Sequence, residues 1–164
     1  MLFSSLDTAI ALAKKESAAL VTIDARLQSF VAGYLIVDIV SEFEKRLEAI
    51  FALRVKKLGD VPIANFLASL LDRKFRSPDV TKINDALRKH DPSWLIAFEG
   101  KLAGTRWKTA MDSLIQNRHY YVHKSGTATM SLDDVVQAYS EAVKLFDALT
   151  HALGLSAADC EHLT

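Results

Sequence analysis

The chain predicts an all-α bundle, and three observations predict it. Apolar residues recur every three or four positions over most of its length, the period of an amphipathic helix. Only three prolines and six glycines interrupt its 164 residues, which leaves room for long helices. No stretch shows the alternation of apolar and polar residues that a half-buried strand requires.

The first helix is expected from about Leu6 to Ala19, where apolar residues keep helical spacing. A longer one follows from about Ile23 to Lys57. There Phe30, Val31, Tyr34, Leu35, Ile39, Phe43, Leu47, Ile50 and Phe51 define one apolar face, and Gly59 stops the helix. At 1.5 Å per residue it spans about 50 Å and forms the spine of the bundle. Pro62 opens a short helix through about Asp72, expected to bury Ile63, Phe66, Leu67 and Leu70. Ser77-Pro78-Asp79 opens another, through His90. Asp91-Pro92-Ser93 caps a third that carries Trp94, Leu95 and Phe98. Gly104 and Thr105 begin a helix with Trp107, Met111, Leu114 and Ile115 on its inner face. Lys124 to Met130 reads as a loop. Ser131, with Asp134 three positions later, resembles a capping box with Asp in place of Glu or Gln. The last long helix runs to Leu153 with Val135, Tyr139, Val143, Phe146 and Leu149 inward, and Gly154 ends it. The expected architecture has two long antiparallel helices plus shorter ones, in a single domain over residues 1–164.

Composition narrows the function classes. Half the residues are hydrophobic and 24% are charged, which suits a packed core and argues against disorder. Lys and Arg total 20 and are balanced by 20 Asp and Glu. A neutral chain does not coat nucleic acid non-specifically, so any RNA contact must come from a local basic patch. The lone Cys160 excludes a disulfide within the sequence and fits a reducing compartment. Met1 to Lys15 lacks the basic and apolar regions of a secretory signal. The longest apolar run, Phe30 to Val40, is broken by Asp38 and is too short to span a bilayer. A soluble cytoplasmic protein with no membrane partner is the expectation.

The most informative stretch is Asn117-Arg118-His119-Tyr120-Tyr121-Val122-His123-Lys124-Ser125-Gly126. An arginine can hold a phosphate through paired hydrogen bonds, and a histidine can pass a proton near neutral pH. Together they point to phosphodiester chemistry without a metal or other cofactor. As a string, arginine, four residues and histidine is weak. Eight arginines and five histidines produce that single spacing by chance in about one chain in four of this length. Its placement late in a helix, ahead of a glycine-bearing loop and a capped final helix, adds weight.

Leu114, Arg118, His119, Val122, His123 and Gly126 resemble the signature of the HEPN superfamily, in which an arginine and a polar residue precede a histidine late in a bundle helix. Ser41-Glu42-Phe43-Glu44 on the long second helix is similar to the RiboL-PSP branch. The resemblance covers about Phe30 to Leu153, while residues 60–103 match no recognisable pattern. It implies a metal-independent endoribonuclease of toxin–antitoxin or anti-phage defence type, with RNA as substrate and an antitoxin as a partner. The alternative it carries is a non-catalytic module that binds RNA or another protein.

Along a regular helix each residue turns about 100°, so Arg118 and His123 lie about 140° apart and do not converge on one point. His119 and His123, four apart, share a face. The resemblance implies a homodimer whose two-fold axis joins two such helices in one composite site. There one His123 takes the proton from a ribose 2′-hydroxyl, which attacks the adjacent phosphorus, and the partner copy's equivalent histidine protonates the leaving 5′-oxygen. Arg118 holds the phosphate. His119, Glu44, Tyr121 and Lys124 are the candidate supporting or substrate-binding residues. Glu44 either orients Arg118 or is a solvated residue of a charged helix face. Of Tyr120 and Tyr121, one is expected in the core and the other at the cleft. Arg118 and His123 also suit a solvated helix end, where the dipole favours positive charge. His119 and His123 by themselves are half a metal site. The clusters around Arg54 and Arg73 read as solvated helix ends, and Cys160, placed in a polar tail, has no base beside it.

Overall fold

The computed structural model describes residues 3–21, 25–57, 59–71, 75–125 and 128–160. All its regular structure is helical: α1 (Ser4–Val21), α2 (Ala25–Lys56), α3 (Val61–Leu71), α4 (Val80–His90), α5 (Pro92–Leu102), α6 (Trp107–Tyr120), a π-helical turn (Tyr121–Ser125), α7 (Leu132–Ala152) and α8 (Ala157–Cys160). The expected all-α bundle is therefore what forms. The expected helix ends at Ile23 and Asp72, and Gly126 of the motif, lie outside the described residues.

Local chemistry sets the boundaries. Gly59 takes φ 82° and Gly154 φ 66°, left-handed positions that end α2 and α7 without a Cβ penalty. Asp79 caps α4 by accepting the Lys82 N–H at 2.8 Å, and Asp91 caps α5 through Ser93 at 2.8 Å. Ser131 and Asp134 form the reciprocal capping box that opens α7.

The core centres on α2 and α7. Phe43 lies with its ring centroid 4.8 Å from Phe146, 5.4 Å from Phe3 and 6.2 Å from Tyr139. Rings at these separations gain edge and stacking energy beyond their burial. The Tyr139 hydroxyl donates to Asp7 at 2.7 Å, fastening α1 across the cluster. Burial first, and then that hydrogen bond, push the Tyr139 phenol far above its ordinary range.

The direction of the long helices differs from expectation. Ser29 near the start of α2 donates to the Ala128 carbonyl, Phe43 meets Tyr139 and Phe146, and Lys57 after α2 pairs with Asp159. Residue numbers rise together along both helices, so α2 and α7 run parallel, not antiparallel. The reason is connectivity: α6 turns back immediately before α7, so the close antiparallel pair is α6 with α7.

Parts of two expected inner faces point outward. Phe30 is 58% exposed and Tyr34 is 67% exposed, although both keep the apolar period of α2. Ile63, Phe66 and Leu70 of α3 are 51–63% exposed, with Ala64 buried and Leu67 partly buried against the bundle. A helical period marks an apolar stripe but not how much of it neighbouring helices cover. The stripes of α2 and α3 are wider than the surfaces against them. Cys160, expected in a polar tail, is instead buried on α8, and burial raises its thiol pKa. No helix among the described residues is long and apolar enough to cross a membrane.

Candidate functional site

The motif straddles the end of α6 and the π turn. Met111 and Leu114 on α6 are buried and seat the helix against the bundle, which fixes where Arg118 and His119 emerge. The chain does not pass into a loop at Lys124 as expected; the wider turn holds Tyr121 to Ser125 first. In such a turn the backbone bonds run from i to i+5 and each residue rotates less than in an α-helix. His123 is therefore swung back toward the face of Arg118, relative to the 140° of a regular helix. Turns of this kind are frequent at functional sites.

Gly33 on α2 makes this geometry possible. A Cβ placed there would stand 2.1 Å from Cε2 of Tyr121, so the Tyr121 ring lies directly on bare backbone. Tyr121 is half-buried in this contact, while Tyr120 is 39% exposed. Tyr121 thus anchors the turn that carries His123.

Arg118 and Glu44 are brought together. Arg118 Nη1 lies 3.3 Å from Glu44 Oε1 and 3.4 Å from Ser77 Oγ, to which it donates. The same Glu44 oxygen accepts the Ser77 backbone N–H at 2.8 Å. Lys82 clamps this corner from outside by donating to the carbonyls of Arg76 at 2.5 Å and Ser77 at 2.9 Å. Ser77 takes φ 50°, a left-handed conformation that costs a non-glycine residue about 1–2 kcal/mol. Arg118 Nε is buried with no hydrogen-bond partner. The guanidinium is thus held through Nη1, while its Nε faces the interior.

Sequence reasoning missed Ser77 as a site residue. Before a proline at a helix start it reads as local punctuation, and its contact with Arg118 spans 41 positions, so no short-range pattern could have marked it.

His119 and His123 also meet, with ring centroids 4.8 Å apart and planes tilted by 50°. Both are exposed, as is Lys124. No hydrogen bond or ion pair joins Arg118 to His123 among the described residues. The arrangement is therefore two adjoining units: an arginine latched inward to Glu44 and Ser77, and an imidazole pair at the surface.

Two cavities open away from the histidines, the first bordering Asn117 of the motif. One of about 340 Å³ runs between α6 and α7, lined by Arg106, Ser113, Asn117, Thr129, Gln137 and Glu141 among others. At its edge the Thr129 hydroxyl donates to Asn117. Another, of about 320 Å³, is lined by Lys101, Trp107, Lys144, Asp147, Ala148 and His151. Neither is lined by the motif histidines, which stand on open surface. Among the described residues no group of three or more His, Cys, Asp or Glu side chains is placed to hold a metal ion. Of the basic clusters, Arg54 stacks over Trp94 at 4.9 Å and Lys57 pairs with Asp159 at 2.6 Å.

Around the Gly33–Tyr121 contact the surface is apolar. Leu27, Phe30 and Tyr34 on α2, and Tyr120 and Val122 beside Tyr121, are 38–67% exposed. Comparison with family models, with curated proteins and with solved structures finds no match to this chain.

Proposed function

We propose that this protein is a HEPN-type, metal-independent endoribonuclease that acts as a homodimer in the cytoplasm, in a toxin or anti-phage defence role with an antitoxin as partner. The observation that carries the reading is the juxtaposition at the end of α6. A guanidinium positioned by Glu44 and Ser77 stands one residue from a surface pair of imidazoles. These are the groups that in-line attack by a 2′-hydroxyl requires: a base, an acid and a cation for the phosphate. With His119 assigned to the RNA backbone, one catalytic imidazole per copy, His123, leaves the opposite proton transfer to a second copy. The apolar residues Phe30, Tyr34, Tyr120 and Val122 beside the histidines supply a surface for that copy to cover.

In this mechanism His123 removes the 2′-hydroxyl proton and the oxygen bonds to phosphorus. The bond to the 5′-oxygen breaks as the second copy's equivalent imidazole protonates it. The products are a 2′,3′-cyclic phosphate and a free 5′-hydroxyl. Glu44 and Ser77 position Arg118, Tyr121 fixes the turn, and His119 and Lys124 contact the RNA backbone.

The test is cleavage of single-stranded RNA in EDTA, with the ends identified. His123→Ala and Arg118→Ala are expected to lose about 10²-fold or more, the scale of one acid or base. Equal rates in parent and variants refute the assignment.

A second reading rests on a specific observation: the Arg118 guanidinium is engaged by Glu44 and Ser77 and not by the histidines. An arginine spent on structure suits a non-catalytic HEPN-like module that binds RNA or a protein. RNA binding without cleavage selects it.

A further inference from the structure

The imidazoles of His119 and His123 are already in ring contact, at 4.8 Å between centroids, on the surface. Two histidines four apart on a helical backbone are a recurring chelate for zinc. Zinc binds imidazole nitrogen at about 2.0–2.1 Å, so the two ligating nitrogens of a tetrahedral ion stand roughly 3.3 Å apart. Centroids 4.8 Å apart leave that spacing within reach of rotation about the side-chain bonds.

We propose that His119 and His123 chelate one zinc-class transition-metal ion per chain, and that the ion acts as an inhibitor of the site. The donor set decides the class of ion. Imidazole suits zinc, copper and nickel, whereas magnesium and calcium need oxygen ligands. The Glu44 carboxylate is turned to Arg118 and Ser77. The pairing also lowers the electrostatic cost, because the charge of Arg118 is partly neutralised by Glu44. Two protein ligands leave the remaining positions to water, which makes the site exchangeable and not structural.

The binding stands independently of the ribonuclease reading; only the inhibition rests on it. Metal and proton compete for one lone pair on each neutral imidazole. With the ion bound, His123 can neither accept the 2′-hydroxyl proton nor deliver one.

Isothermal titration of the whole metal-free protein with zinc chloride, in a non-chelating buffer, tests the site. One ion per chain is expected. His119→Ala and His123→Ala are each expected to weaken binding by at least about tenfold, the lower end of what loss of even a supporting group costs a metal site. His151→Ala is the control and should bind as the parent does. Cobalt substituted for zinc should give visible absorption that both motif variants lose. Unchanged zinc affinity in the two variants, or no binding by the folded parent at micromolar zinc, overturns the proposal. Loss of binding in both upholds the site whether or not the protein cuts RNA. Where the parent does cut RNA, undiminished cleavage at saturating zinc overturns the inhibition alone.

Discussion

Gly33 shows how one missing methyl group can organise a site. The Tyr121 ring occupies the space a Cβ would need, so Gly33→Ala must push the ring out or separate α2 from the π turn. Overpacking of this kind costs about 1–3 kcal/mol. Chemical denaturation should show that loss, and the near-ultraviolet circular dichroism of the tyrosines should change with it. An alanine variant as stable as the parent would mean that the ring is not seated on α2. Ser77 is the converse case, a side chain kept in an unfavourable backbone conformation because its hydroxyl and N–H both have long-range partners. Arg118, Glu44 and the histidines were legible in the sequence as candidates because their residue types carry the chemistry. Gly33 and Ser77 were not legible, because what singles them out is a neighbour dozens of positions away.

Helix ends were the most readable elements, since caps are local. The Ser131–Asp134 box is spelled by four consecutive residues, and Ser131→Ala should cost about 1 kcal/mol in thermal or denaturant unfolding. The π turn was not readable: no residue announces it, and the contact of Tyr121 with Gly33 that accompanies it spans distant positions. The short tail shows a pH-dependent tie. Asp159 is held at a pKa of about 2, chiefly by the Lys57 ammonium and then by the Ser156 N–H and hydroxyl. Its folded value lies below the unfolded one of 3.8. The tie therefore contributes fully above the ordinary carboxylate range, and its contribution is lost as pH falls through about 2. A carboxyl titration by NMR should find Asp159 below the other aspartates. In Asp159→Asn, amides of α8 should exchange faster at neutral pH, while those of α7 should not.

At the scale of the whole molecule, the helical class follows from period and from the scarcity of breakers, and both are sums over many residues. The relative direction of α2 and α7 is not such a sum. It depends on how three short helices and α6 are threaded between them, which no periodicity encodes. The aromatic cluster joins these helices, with Phe146 fully buried in it, and Phe146→Ala should cost about 3–5 kcal/mol, read from a denaturant midpoint. The exposed patch around Phe30 and Tyr34 is expected to close a dimer. Phe30→Asp with Tyr34→Asp should turn a dimer into a folded monomer in light scattering, and a parent that is already monomeric would remove the composite site. The outward row of Ile63, Phe66 and Leu70 on α3 bears on handling in solution. An oily ridge this size makes a protein sensitive to salts that strengthen apolar burial. Ammonium sulfate should precipitate the parent at a lower concentration than Phe66→Ser, and coincident salting-out curves would mean that water never meets the ridge.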